Sequence, residues 1–168
     1  DFALARFGGT PLYEDPNPLR GEHKSWGTLI FDFGKAEVQS FLVSSAMMFA
    51  KMYHIDGIRV DAVAAMLYLD YDRPDGQWCP NENGGHENIQ AIAFLQKLNH
   101  AIATKSEGTI MIAEESTAWP LVTRPTESGG LGFHYKWNMG WMNDSLSYIK
   151  TDPYFRKYEH QKLTFPMI

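Results

Sequence analysis

Two acidic residues, Asp61 and Glu114, each follow a short segment that is typical of a buried strand. Asp61 follows Gly-Ile-Arg-Val, and Glu114 follows Thr-Ile-Met-Ile-Ala. Cleavage of a glycosidic bond requires such a pair on adjacent strands, because one carboxylate attacks the anomeric carbon while the other carboxyl group protonates the leaving oxygen. The sequence therefore indicates a paired-carboxyl site at two strand ends.

Arg59 is the third candidate, because it lies two residues before Asp61 and alternate strand residues share a face. Its guanidinium is expected to reach Asp61 and to keep that carboxylate ionised and oriented. A structural alternative stays open, in which Asp61 and Glu114 cap the following helices or only pair with Arg59.

Glu115 competes with Glu114 for the role of general acid. Successive side chains of a strand point to opposite faces, so only one of the two can face the site. We predict that Glu114 does, and that Glu115 faces the other side or the start of the loop, where water, a backbone amide or a cation is its partner.

Aromatic residues in the predicted loops are candidates for stacking on sugar rings. The binding candidates are Trp26, Trp78 and Trp119, together with His86. For each of these aromatic residues, and for Trp137 and Trp141, packing in the core or in an interface is the alternative.

The elements that must position these residues alternate between helices and short strands. Helical periodicity spans 36–53 and 89–108, and resumes at 142–150; strands are predicted at 58–63, 109–113 and 132–137, and breaker-rich loops at 1–27, 70–88 and 116–132.

This alternation predicts the α/β class with a parallel sheet, because parallel strands need crossover connections. The long loops follow strands and the helix-to-strand turns are short, an asymmetry typical of a (β/α)8 barrel. Only three or four such units fit into 168 residues, so we predict a partial barrel.

Composition excludes several classes of protein. The net charge is -5 and the chain has no basic run, so nucleic acid is not an expected partner. No apolar run is long enough to span a membrane. The single cysteine, Cys79, excludes an internal disulfide, and no residues have the spacing of a metal site. We expect a reducing, cytoplasmic setting.

Two segments resemble catalytic segments of the bacterial glycogen branching enzymes, members of the α-amylase superfamily. They are residues 56–71, DGIRVDAVAAMLYLDY, and residues 111–117, MIAEEST. The resemblance extends over essentially the whole chain and includes residues 80–85, 130–142 and 161–165.

The resemblance implies a role for each candidate: Asp61 as the nucleophile on the fourth barrel strand, Arg59 as its partner, and Glu114 as the acid/base on the fifth. The family's third-strand Asp and His segment is absent, and so is its seventh-strand His-Asp-Glu segment, because none of the six histidines precedes an aspartate. Residues 1–168 are therefore expected to form the central part of one catalytic barrel, about strands four to six, incomplete at both ends.

The activity that the resemblance implies is 1,4-α-glucan branching on glycogen or amylose, by a cytoplasmic monomer without a metal or an organic cofactor. The isolated segment is expected to be inactive. Two alternatives remain: an α-amylase or debranching hydrolase with the same carboxylates, and a non-catalytic glucan-binding module.

Overall fold

The structure of the protein is a computed structural model that describes residues 7–164. In chain order its elements are α1 (Pro18–Gly21), β1 (Glu22–His23), β2 (Thr28–Leu29), α2 (Ala36–Met52), β3 (Gly57–Val60), α3 (Val63–Leu67), α4 (Ile89–Lys105), β4 (Ile110–Ala113), β5 (Tyr135–Lys136), α5 (Met139–Lys150) and α6 (Gln161–Thr164). Short 3-10 turns lie at Thr126–Ser128 and Arg156–Tyr158.

Strands β3, β4 and β5 form a parallel sheet in that order. The register aligns Val60 with Ala113 and Ala113 with Lys136, so the carboxyl ends of the three strands lie at one edge. A methyl group on Gly57 would lie 2.6 Å from the Ile110 side chain, so glycine permits this close approach. The predicted α/β class with a parallel sheet is confirmed.

Helix α4 supplies much of the core behind the sheet. The Asn88 side chain accepts a hydrogen bond from the Ala91 amide and caps the start of the helix. Leu95, Leu98 and Ile102 follow at helical spacing and are buried. They belong to one apolar cluster that also holds residues from α3 and β4, namely Val63, Leu67, Met111 and Ala113.

The predicted elements agree with the structure apart from some boundaries. Helices predicted over 36–53 and 89–108 are α2 and α4. The strand predicted at 58–63 ends at Val60, because the backbone of Ala62 is left-handed and α3 begins at Val63. The helix predicted from Met142 begins at Met139, where the Asn138 side chain caps it.

The loop predicted over residues 1–27 is partly wrong. Residues 1–6 lie outside the described residues, but α1 and the antiparallel pair β1 and β2 follow them. The Asn17 side chain caps α1 by accepting from the Leu19 amide, so a breaker-rich segment still forms regular structure. Over residues 7–164, no helix is long and apolar enough to cross a membrane.

Candidate active site

One arginine lies between the two predicted carboxylates. Asp61 follows β3 and Glu114 follows β4, so both lie at the same edge of the parallel sheet. Arg59 Nη1 lies 2.6 Å from Asp61 Oδ1, and Arg59 Nη2 lies 3.6 Å from Glu114 Oε2. The expected contact between Arg59 and Asp61 is present, and it extends to Glu114.

The two carboxylates differ in exposure. The Asp61 side chain is 74% exposed and that of Glu114 only 20%. Asp61 is therefore open to a ligand from solvent, whereas Glu114 is held within the protein.

A strained turn directs Glu114. Ala62 has φ 50°, in the left-handed region that non-glycine residues rarely adopt. In this conformation its amide donates to Glu114 Oε2 at 2.6 Å, and the Val63 amide donates to the Glu114 backbone carbonyl at 2.9 Å. The turn after Asp61 and the end of β4 are thus joined through Glu114. Of the structural alternative, the pairs of both carboxylates with Arg59 are present.

Glu115 faces away from this site, as strand alternation predicts. Its Oε1 accepts hydrogen bonds from the amide and the hydroxyl of Thr117, and its Oε2 lies 2.6 Å from Lys136 Nζ. Glu115 is fully buried, so a backbone amide, a hydroxyl and a cation replace water around its carboxylate.

Two cavities meet at Asp61. The smaller, the carboxylate cavity, has a volume of about 310 Å³ and is lined by Asp61, Glu114, Trp26, Tyr71 and Ser116, with Ala62 and Ala64. The larger, the apolar cavity, has a volume of about 530 Å³ and shares Asp61 and Trp26 with the first. Of the predicted binding residues, Trp26 is the one placed at these cavities.

Trp26 is held in place by its aromatic neighbours. Its indole is stacked on the His23 ring, with 3.8 Å between centroids, and meets Tyr71 edge-on at 6.0 Å. His23 is buried, and this burial lowers the pKa of its imidazole, with a smaller contribution from the nearby Arg73 cation. A neutral, flat ring therefore supports the indole.

The other three predicted binding residues do not line either cavity. Trp119 packs edge-on against Tyr68 at 5.3 Å and against the apolar core, which agrees with the packing alternative. His86 lies 3.2 Å from the Asp70 carboxylate. Trp78 is half-buried.

Comparison with known proteins finds curated relatives named 1,4-alpha-glucan branching enzyme, and no family model matches the chain. The 1,4-alpha-glucan branching enzyme of Thiobacillus denitrificans is 61% identical over 165 residues, which are 98% of this chain and 22% of that protein. The enzyme of the same name from Marinobacter nauticus is 58% identical over 168 residues, or 100% of this chain and 27% of that protein. The chain belongs to the 1,4-alpha-glucan branching enzyme family. It spans about a quarter of the length of these curated relatives.

Two features of this branching-enzyme segment are not predicted by the sequence. The first is the left-handed turn at Ala62, for which alanine gives no signal. The second is the contact of Trp137 with Arg59, in which the ring centroid lies 4.2 Å from the guanidinium carbon. Its position directly after β5 is the signal that was available. Within residues 7–164, no group of three or more His, Cys, Asp or Glu side chains could hold a metal ion.

Proposed function

We propose that residues 1–168 form the central part of the catalytic (β/α)8 barrel of a 1,4-α-glucan branching enzyme. The observation that carries this proposal is the single guanidinium of Arg59 in contact with both Asp61 and Glu114 at the carboxyl edge of parallel strands. In a (β/α)8 barrel this edge carries the catalytic residues. The identity of 57–61% to branching enzymes supports the same assignment.

In the first half of the proposed reaction, Asp61 attacks the anomeric carbon of an α-1,4-linked glucose. Glu114 donates its proton to the leaving 4-oxygen, so the bond to that oxygen breaks as a glycosyl ester forms on Asp61. Trp26 supports the sugar by stacking at the mouth of the carboxylate cavity.

In the second half, Glu114, now a carboxylate, accepts the proton of a 6-hydroxyl on another glucan chain. That oxygen attacks the anomeric carbon and releases Asp61 as a carboxylate. Both groups return to their starting protonation states, and an α-1,6 branch replaces an α-1,4 link. For this retaining mechanism we predict that the carboxyl oxygens of Asp61 and Glu114 lie about 5 to 6 Å apart.

The exposure of Asp61 favours catalysis over a capping role. A carboxylate that only supports the fold gains most when it is covered and fully bonded, whereas Asp61 has one cationic partner and opens into two cavities. A non-catalytic glucan-binding module would not need two carboxylates around one arginine. A hydrolase of the same superfamily would need them, and the identity to branching enzymes favours transfer to a glucan hydroxyl.

For the whole protein we propose α-glucan (glycogen or amylose) as substrate, no metal or organic cofactor, no nucleic-acid or membrane partner, and a cytoplasmic monomer. The net charge of -5 supports the absence of a nucleic-acid partner, and the single cysteine supports a reducing, cytoplasmic setting.

The proposed function can be tested by treating amylose with the natural full-length protein. We expect the iodine colour to shift while few reducing ends appear, and debranching of the product should release short chains. Many new reducing ends would indicate a hydrolase, and no covalent change would indicate a binding module. The Asp61→Asn variant is the control, and it should leave amylose unchanged.

A further inference from the structure

Trp137 lies directly after β5, on the side of the sheet that carries Arg59. Its amide donates a hydrogen bond to the Ala113 carbonyl at 2.9 Å, which ties it to the end of β4. The residue is 43% exposed, and the guanidinium carbon of Arg59 lies over its ring, 4.2 Å from the centroid.

The guanidinium of Arg59 has three partners at the same time. Its two terminal nitrogens form ion pairs with Asp61 and Glu114. Its central carbon lies over the Trp137 ring, where the negative ring face attracts the cation without using an N–H donor. The ring contact therefore restricts the movement of the guanidinium while leaving both nitrogens to the carboxylates.

A second contact fixes Trp137 from the opposite face of the sheet. Lys136, the preceding residue, pairs with the fully buried carboxylate of Glu115. Neighbouring side chains on a strand point to opposite faces, so anchoring Lys136 to Glu115 directs Trp137 toward Arg59. One group of contacts therefore lies on each face of the sheet at the ends of β4 and β5. Glu115 and Lys136 are on one face, and Glu114, Arg59 and Trp137 are on the other.

We propose that Trp137 is a positioning residue that holds the Arg59 fork in register with the nucleophile and the acid/base. The proposal rests on the proposed function of Asp61 and Glu114. It differs from a sugar-stacking role, because the ring face of Trp137 acts on Arg59 and the effect of its loss passes through Arg59.

Steady-state kinetics of the natural full-length protein test the proposal. In Trp137→Leu we expect kcat to fall about 10- to 100-fold, with KM changed less than about threefold, since misplacement of a reacting group affects the chemical step. Trp137→Phe keeps an aromatic face and should retain most of the wild-type kcat. Trp141→Leu removes a comparably exposed tryptophan from α5 and should match the wild type. A rise in KM with unchanged kcat would overturn the proposal and indicate substrate stacking.

A double-mutant cycle shows whether Trp137 acts through Arg59. We expect Trp137→Leu to lower the rate less than about threefold when Arg59 is already Leu, because the interaction it supports is gone. An activated glycosyl fluoride keeps these slow variants measurable. Fully additive losses would contradict the proposal.

Crystal structures of the full-length wild type and of Trp137→Leu separate this proposal from the proposed function. If the wild type does not act on amylose, the proposed function fails. The positioning role is still tested by comparing the position of the Arg59 side chain in the two structures. We expect Arg59 to move beyond about 4 Å from Asp61 in the variant. An unmoved Arg59 would overturn the positioning role.

Discussion

At the scale of single residues, the site depends on one planar cation between two carboxylates. Arg59 contacts Asp61 and Glu114 with different nitrogens of the same fork. A lysine ammonium would supply the charge at one point, but it could not keep two separated contacts and a stacked face together. The site therefore requires arginine for the geometry of its guanidinium more than for its charge.

Replacement of Arg59 by lysine in the full-length protein is expected to lower kcat by at least about 100-fold, since a misplaced reacting group costs about that much in rate. The temperature of thermal unfolding should change little, because the side chain is partly exposed and its ion pairs contribute little to stability. Kinetics and a thermal melt check both statements. Wild-type turnover in Arg59→Lys would show that the arginine is only structural.

At the scale of elements, the turn between β3 and α3 determines where the acidic groups lie. Ala62 occupies the left-handed region, and its amide donates a hydrogen bond to Glu114. Such strain in a non-glycine residue costs about 1 to 3 kcal/mol and is often found at functional sites. The turn that ends β3 therefore also orients the Glu114 carboxylate.

Two substitutions at Ala62 should have opposite effects on stability. In the full-length protein, Ala62→Gly adopts the left-handed turn without strain, so thermal unfolding should occur at the wild-type temperature or above it. Ala62→Val should lower the free energy of unfolding by about 1 to 3 kcal/mol, because a β-branched residue is least tolerant of positive φ. If Val were tolerated as well as Gly, the turn would not have the conformation described.

The pair β1 and β2 is expected to respond to pH through His23. Burial lowers the pKa of His23 from its usual 6.5, so the unfolded chain binds this proton more readily than the folded chain. The stabilising contribution is therefore fully present above pH 6.5 and is lost as the pH falls below that value toward the lowered pKa.

Thermal melts of the full-length protein between about pH 7.5 and 5.5 check this expectation, since that interval spans the ordinary pKa of histidine. His23→Phe keeps a flat ring beside Trp26 and should weaken the dependence of the melting temperature on pH. The exposed-helix variant His100→Gln is the matched control and should keep the wild-type slope. Equal slopes in all three proteins would contradict the assignment.

At the scale of the whole molecule, periodicity and alternation predicted most of what positions the site. The helical spacing in α2 and α4, and the strand patterns before Asp61 and Glu114, follow from local rules and agree with the structure. The opposite orientations of Glu114 and Glu115 followed from strand alternation alone.

The features that the sequence did not predict depend on contacts between distant segments. The stacking of Arg59 on Trp137 joins β3 to the end of β5, and periodicity carries no information about such a contact. The hairpin in the breaker-rich start of the chain is stabilised by His23, Trp26 and Tyr71, the last of which lies far along the sequence. Tertiary packing thus overrides local preference at these places.

Large apolar side chains are exposed on α2 and around the apolar cavity. Leu29, Phe41, Met52 and Tyr53 are each more than half exposed. The chain matches only about a quarter of the length of its relatives. Together with this match, the exposed apolar surface indicates that the rest of a larger protein covers it. We predict that the isolated 168-residue chain is inactive, binds a hydrophobic dye and lacks a sharp thermal transition. A cooperative melt without dye binding would contradict this prediction.

We propose that Asp61 holds the glycosyl group while Glu114 moves the proton, and trapping of the glycosyl-enzyme intermediate tests both roles. In full-length Glu114→Gln, maltosyl fluoride should still load Asp61, because fluoride leaves without an acid, whereas release needs the missing base. Mass spectrometry of the digested protein should then find a maltosyl group on the peptide that contains Asp61, and none in the Asp61→Asn, Glu114→Gln double variant. A maltosyl group on any other residue, or rapid turnover without an adduct in Glu114→Gln, would contradict the account.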